Sequence, residues 1–234
     1  MGIAPRLCRQ GGPQTVAVWP AEIGYDAGMQ RRRLVLAGLA FALGLSACHA
    51  QDAYKTEAEQ LTSLLHWQPG NVVADIGAGD GELTLLAAER VGPAGRVYTT
   101  EVDPKKLEHL EELAAQNGNV TAVKAASDST NLPPACCDSI VVRRVYHHFP
   151  KPPAMDASLL QSLKPGGFLA IIDFPPRAGL PTVKEDVPKN RNGHGIAPEI
   201  VTEEMTAAGF ELASRLDHWP EDDYCLIFRK PIRQ

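Results

Sequence analysis

The chain has no block of basic residues after residue 40, and its formal net charge is −5. A nucleic-acid-binding face normally shows clustered Lys and Arg, so no nucleic-acid partner is expected. Cysteines are few and form no ligand or disulfide pattern. Of the five, Cys8 and Cys48 are N-terminal, Cys136 and Cys137 are adjacent, and Cys225 stands alone. Adjacent cysteines rarely bridge without strain. Cys136-Cys137 reads as part of a loop, with a thiol- or metalloid-binding role as the alternative. Cys225 reads as a small core residue in an alternating strand. The apolar stretch Leu34 to Leu45 is too short for a membrane span of about 20 residues. There is no internal repeat, and nothing marks a second folded domain.

What is present is ordinary globular composition. Hydrophobic residues make up 44% and charged residues 22% of the chain. The length suffices for one domain with a sizeable core. The most informative run is Val72-Val73-Ala74-Asp75-Ile76-Gly77-Ala78-Gly79-Asp80-Gly81-Glu82-Leu83. It predicts a buried parallel strand, a glycine turn and a helix. Gly77, Gly79 and Gly81 permit a tight turn and let a ligand lie against bare backbone. Asp75 ends the strand and sets a carboxylate beside the loop. A second strand, Gly95 to Thr100, ends in Glu101. An acidic residue about twenty positions beyond such glycines can accept from both hydroxyls of a ribose. The spacing is Gly-x-Gly-x-Gly, and a dinucleotide site would want its third glycine where this chain has Glu82.

The run Asp75 to Gly81 resembles motif I of class I S-adenosylmethionine-dependent methyltransferases. Glu101-Val102-Asp103-Pro104 resembles the acidic end of that family's second strand. Ala126-Ser127-Asp128 resembles the loop facing the adenine amino group, and Leu163 to Asp173 the turn into the fifth strand. The matches come in family order and span about Gln68 to Asp173. The resemblance implies an α/β fold, doubly wound and Rossmann-like: a mainly parallel seven-stranded sheet with an antiparallel last strand. It implies S-adenosylmethionine as cofactor and methyl transfer to a small-molecule acceptor. Asp75, Gly77, Gly79, Gly81, Glu101, Val102 and Asp128 would then be the cofactor-binding residues. In that assignment the glycines take the amino-acid end and Glu101 the ribose. Val102 packs on adenine, and Asp128 accepts from its amino group.

Elsewhere the pattern predicts helices from Tyr54 to His66, Glu82 to Glu89, Pro104 to Gln116, Pro153 to Leu163 and Ala197 to Ala208. Val120 to Val123, Asp138 to Arg143 and Phe168 to Asp173 read as strands, with Lys164 to Gly167 as a turn. Phe210 to His218 and Asp223 to Arg229 read as a closing hairpin. Tyr146-His147-His148-Phe149 follows the fourth strand, at the carboxyl edge where ligands bind in such sheets. His147 and His148 are therefore the candidate catalytic residues, as general base or pocket lining. An adjacent pair alone is no metal site, since two more ligands are missing. Asp173 ends the fifth strand and is a further pocket candidate. Pro175 to Gly195 reads as a lid or binding loop, and His194 within it as a surface residue or substrate contact.

Before the domain, Arg31-Arg32-Arg33 precedes Leu34 to Leu45 and then Leu45-Ser46-Ala47-Cys48. A basic segment followed by a short apolar one is the pattern of a secretory signal. Its end resembles a bacterial lipobox, and the arginines loosely resemble a twin-arginine export signal. The expected organisation is an upstream disordered extension over 1–28, a signal peptide over 29–48 starting at Met29, and the methyltransferase domain over 49–234. Lipidation at Cys48 would anchor the protein in the bacterial cell envelope on the periplasmic side. Without use of the signal it would be cytoplasmic. Two other readings stay open: a non-catalytic lipid-anchored binding protein on the same fold, and an NAD-dependent oxidoreductase.

Overall fold

The structure, a computed structural model, describes residues 53–177, 187–191 and 194–232. The expected extension over 1–28, the signal over 29–48 and the middle of the Pro175 to Gly195 loop lie outside these residues. No helix among the described residues is long and apolar enough to cross a membrane.

A first helix, α1 (53–64), leads into β1 (Val72–Ile76), α2 (Glu82–Val91), β2 (Arg96–Glu101) and α3 (Pro104–Gln116). Then come β3 (Val120–Lys124), β4 (Cys137–Arg143), α4 (Pro152–Ser162), β5 (Leu163–Asp173), α5 (Pro198–Ala207), β6 (Glu211–Trp219) and β7 (Asp223–Arg229). The seven strands form one sheet in the order β3-β2-β1-β4-β5-β7-β6. β7 runs antiparallel to both β5 and β6, and the pairs from β3 through β5 are parallel. This is the expected doubly wound sheet with an antiparallel last strand.

Alternation along β1 and β4 divides the core between the two faces of the sheet. Ala74, Ile76, Ile140 and Val142 join Leu159 of α4 and Val201 of α5 on one face. Val73 and Val141 join Leu61 of α1 and Leu83 of α2 on the other. The capping of α3 is local and complete: Pro104 opens it, and the Asp103 carboxylate accepts from the N–H groups of Lys105 and Lys106.

Four expectations need correction. α1 ends at residue 64, two positions before His66. Lys164 to Gly167 is no free turn but lies inside β5. Its backbone is taken up beyond β7: the Gly166 N–H donates to the Lys230 carbonyl, and the Lys230 N–H to that of Gly167. The β4–β5 register consequently jumps from Cys137↔Leu163 to Ser139↔Phe168. Cys225 is indeed buried, but β7 does not alternate, because it lies between two strands with both faces covered. Cys137 likewise opens β4 and is buried rather than looped, its Sγ 2.7 Å from that of Cys136.

Candidate functional site

The carboxyl ends of β1, β2 and β4 surround a cavity of about 440 Å³. Its first wall is backbone. The N–H groups of Gly77 and Ala78 both donate to the Thr100 carbonyl at 3.0 Å, folding the loop back over β2. Gly77 has φ +69°, and a Cβ there would lie 2.7 Å from Val145 Cγ2. Gly79 has φ +62°, and a Cβ there would meet only Lys106 Nζ, at 3.9 Å. The two glycines thus differ: the first permits close packing, the second meets only the end of a flexible lysine. Gly81 belongs with the first kind. It lies against Leu110 and Leu113 of α3. Of the three glycines only Gly77 lines the cavity.

Asp75 does not face the cavity either. It points to the α1–α2 side of the sheet, where the Thr84 hydroxyl donates to its carboxyl at 2.7 Å. Thr84 also meets the Thr99 hydroxyl at 3.0 Å, so this group ties α2 to β1 and β2. The strand alternation explains the departure, since Asp75 shares a face with Val73. Burial pushes its carboxyl up to about 6. Glu101 does line the cavity. Its Oε1 accepts from the N–H of Val102 at 2.7 Å, and its Oε2 from the N–H of Gly79 at 3.3 Å. The carboxylate thus braces the glycine loop while keeping lone pairs for a ligand. Val102 lines the same wall and is half exposed, an apolar surface without a protein partner over much of its area. Asp128 lies outside the lining, which takes Ala126 and Ser127 instead. Its carboxylate pairs with Lys151 Nζ at 2.9 Å on the surface. The Lys151 hydrogen bond and charge hold the Asp128 carboxyl below its usual range.

The opposite wall is built from side chains. Arg144 has the left-handed φ of +53°, which a non-glycine residue adopts at a cost. Its guanidinium donates two hydrogen bonds to Asp223, at 2.6 and 2.9 Å, holding it at the cavity edge. A single 3₁₀ turn, Tyr146–His148, follows. It separates the two candidate histidines. His148 lines the cavity, whereas His147 is buried with 1% exposure and does not. His147 Nδ1 lies 2.8 and 3.0 Å from the two carboxyl oxygens of Asp173, and its backbone N–H also donates to Asp173. Asp173 is fully buried, so it faces His147 and not the open cavity.

His194 joins this pair from far along the chain. The Arg177 N–H donates to the His194 carbonyl, and the Ile196 N–H to that of Phe174. Gly195, at φ +108°, lets this strap lie against Phe174, where a Cβ would approach the Phe174 carbonyl to 2.7 Å. The His194 ring then stacks on Phe174, 5.5 Å between centroids, and meets His147 edge-on at 4.9 Å.

A buried polar network behind the turn keeps it in place, and the sequence carried no signal for it. The Tyr146 hydroxyl lies 3.0 Å from both Asp156 of α4 and Glu204 of α5. One hydroxyl proton cannot serve two carboxylates, and burial pushes Asp156 up to about 7, so a protonated Asp156 resolves the conflict. Arg191 is buried with 2% exposure and donates to both oxygens of Glu204, at 2.8 and 3.1 Å. That pair fastens the segment just before His194 to α5.

Residues 74–171 match a family model described as a methyltransferase domain. Among curated relatives, the protein-L-isoaspartate O-methyltransferase of Aeropyrum pernix is 34% identical over 140 residues, 56% of this chain and 50% of that protein. The ubiquinone/menaquinone biosynthesis C-methyltransferase of Ectopseudomonas mendocina is 33% identical over 114 residues, 46% of this chain and 43% of that protein. The chain thus spans about half the length of the curated relatives it matches. A solved structure of an S-adenosylmethionine-dependent methyltransferase from Aquifex aeolicus superposes with a TM-score of 0.61 at 20% identity, covering 74% of this chain and 89% of that one. The α/β architecture is the Rossmann-like methyltransferase fold.

Proposed function

We propose that this protein is an S-adenosylmethionine-dependent methyltransferase acting on a small-molecule acceptor. The observation that carries the reading is the cavity wall formed by Gly77, Glu101 and Val102, with the Gly79 N–H bonded to the Glu101 carboxylate beside it. Bare backbone, a carboxylate and an apolar surface lie side by side at the carboxyl edge of β1 and β2. These residues fit a nucleoside-bearing ligand, and the volume is in the range of small-molecule sites. The family match over residues 74–171 supports the same reading.

In it, Gly79 lets the cofactor approach the backbone, Glu101 accepts from the ribose hydroxyls, and Val102 covers the adenine face. Bound there, the cofactor would supply a methyl group already activated on a sulfonium. The chain's own task is then alignment and, at the acceptor, proton removal. His148, which lines the cavity from the β4 side, takes that role in this reading. His147 acts through position, held by Asp173. Calorimetry of the purified protein with S-adenosylmethionine and, separately, with NAD tests the assignment. Binding of the first and not the second is expected. The reverse would make the site that of an oxidoreductase. Cofactor binding without methyl transfer to any of a panel of quinols, phenols and thiols would favour a non-catalytic binding protein.

We also infer an envelope location with a lipid anchor at Cys48. The support is the order of Arg31-Arg32-Arg33, Leu34 to Leu45 and the lipobox-like Leu45-Ser46-Ala47-Cys48. Expression in a bacterium should give a membrane-associated product that labels with fatty acid, and Cys48→Ser should abolish the label. A soluble, unlabelled product from the unaltered sequence would reject the anchor.

A further inference from the structure

Three imidazoles converge beside the cavity. The ligand nitrogens of His147, His148 and His194 all lie within 4.8 Å of one another. His147 and His148, consecutive in the 3₁₀ turn, bring their ring centroids to 3.9 Å. His147 also keeps one ring nitrogen bare: its Nε2 is buried and has no hydrogen-bond partner among the described residues. Leaving a buried nitrogen without a partner is costly, so a ligand is indicated.

The tautomer follows from the partners of Asp173. That carboxylate accepts from the backbone N–H groups of His147 and Phe174, at 3.2 and 2.9 Å, and no donor of its own is called for. It therefore accepts from His147 Nδ1–H as well, which leaves the lone pair on Nε2. A histidine with one nitrogen fixed by a buried carboxylate and the other bare is the arrangement that orients an imidazole toward a metal ion.

We propose that His147, His148 and His194 bind one divalent transition-metal ion of the zinc class, with a coordination position left open toward the cavity. Three imidazoles without a carboxylate or thiolate suit zinc, copper or nickel and not calcium or magnesium. Three protein ligands leave room for a fourth, exchangeable one. Tetrahedral coordination with bonds near 2.0–2.1 Å needs nitrogens about 3.3 Å apart, so the rings draw together on binding. His194 supplies the movement, since it is only partly buried and stands on a strap. Because His148 lines the cavity, the open position faces an oxygen, nitrogen or sulfur donor of the methyl acceptor. With the ion bound, His148 is a ligand and no longer the base; the ion would instead favour the deprotonated form of that donor, whose proton leaves to solvent. This last role rests on the methyltransferase reading; binding of the ion does not.

The test uses the full chain, stripped with a chelator and titrated with Co²⁺ and with Zn²⁺ in the absence of S-adenosylmethionine. Uptake of one Co²⁺ with visible ligand-field bands is expected in the unaltered protein. His194→Ala, whose fold is checked by circular dichroism, should abolish these bands. Asp173→Asn should weaken binding by roughly 10–100-fold. X-ray absorption on the zinc-loaded, unaltered protein needs no variant and should show imidazole nitrogens near 2.0–2.1 Å. No uptake, uptake unchanged in folded His194→Ala, or a sulfur shell from Cys136 and Cys137 would overturn the site. Calorimetry with S-adenosylmethionine on the same samples separates the two readings: failure there removes the methyltransferase and leaves the metal site standing.

Discussion

The two walls of the cavity are made in different ways. The β1–β2 wall is local: Gly77 through Glu101 lie within one strand–loop–helix–strand unit, and its contacts are largely backbone N–H groups to Thr100 and Glu101. The β4–β5 wall is assembled at long range. His147 depends on Asp173, His194 on Phe174, and Arg144 on Asp223, each from a different part of the chain. A wall of backbone tolerates any side chain that leaves it room, whereas a wall of side chains fails when one partner is lost.

The largest effect should come from the glycines and should split them. Gly79→Val should abolish cofactor binding in calorimetry at a modest cost in stability, because its side chain meets only the flexible end of Lys106 while its φ of +62° strains a branched residue. Gly77→Val adds to the same backbone strain a branched side chain driven into Val145 and should lower the melting temperature much further. If both variants fold and bind alike, the distinction between the two glycines is wrong. On the other wall, His148→Ala should cut turnover by about 10²–10⁴-fold, as for a lost general base, with little change in cofactor affinity. Equal losses in affinity and turnover would make His148 a cofactor contact.

Glu101→Ala should weaken cofactor binding by roughly tenfold or more, because charge-assisted hydrogen bonds contribute about 1.5–3 kcal/mol. The same variant frees the Gly79 N–H, so faster amide exchange in the loop should accompany the loss. Unchanged affinity would remove Glu101 from the site. Asp75→Asn addresses stability alone. Burial pushes Asp75 up from 3.8 to about 6 in the folded state, so folding takes up its proton. Its stabilising contribution is complete below the unfolded value and is lost as pH rises through about 6, a change of roughly 3 kcal/mol. Denaturant midpoints for the unaltered protein should fall between pH 4 and 6 by more than those of Asp75→Asn. Parallel pH profiles would show that Asp75 does not titrate there. The smallest effect is expected at Asp128: its exposed pairing with Lys151 predicts that Asp128→Ala stays within about twofold of the original cofactor affinity. A tenfold loss would return it to the adenine site.

The sequence by itself determined the sheet, the element order and the glycine-loop wall. Those signals are short-range: apolar strands, glycines at the turn, Asp103-Pro104 capping α3, and an acidic residue at the end of β2. It also located Tyr146-His147-His148 at the carboxyl edge, because the edge follows from strand order. What it could not decide was which way each side chain turns. Asp75 and Asp128 matched a pattern in position, yet one faces α2 and the other the surface, since strand alternation and a neighbouring lysine settle orientation. Lys164 to Gly167 looked like a turn until Lys230 supplied its backbone partners. The meeting of His147, His148, His194 and Asp173 was likewise beyond reach. It requires β4 and β5 to lie side by side and the strap before α5 to fold back on Phe174, and only tertiary packing brings residues so distant in the chain to one point.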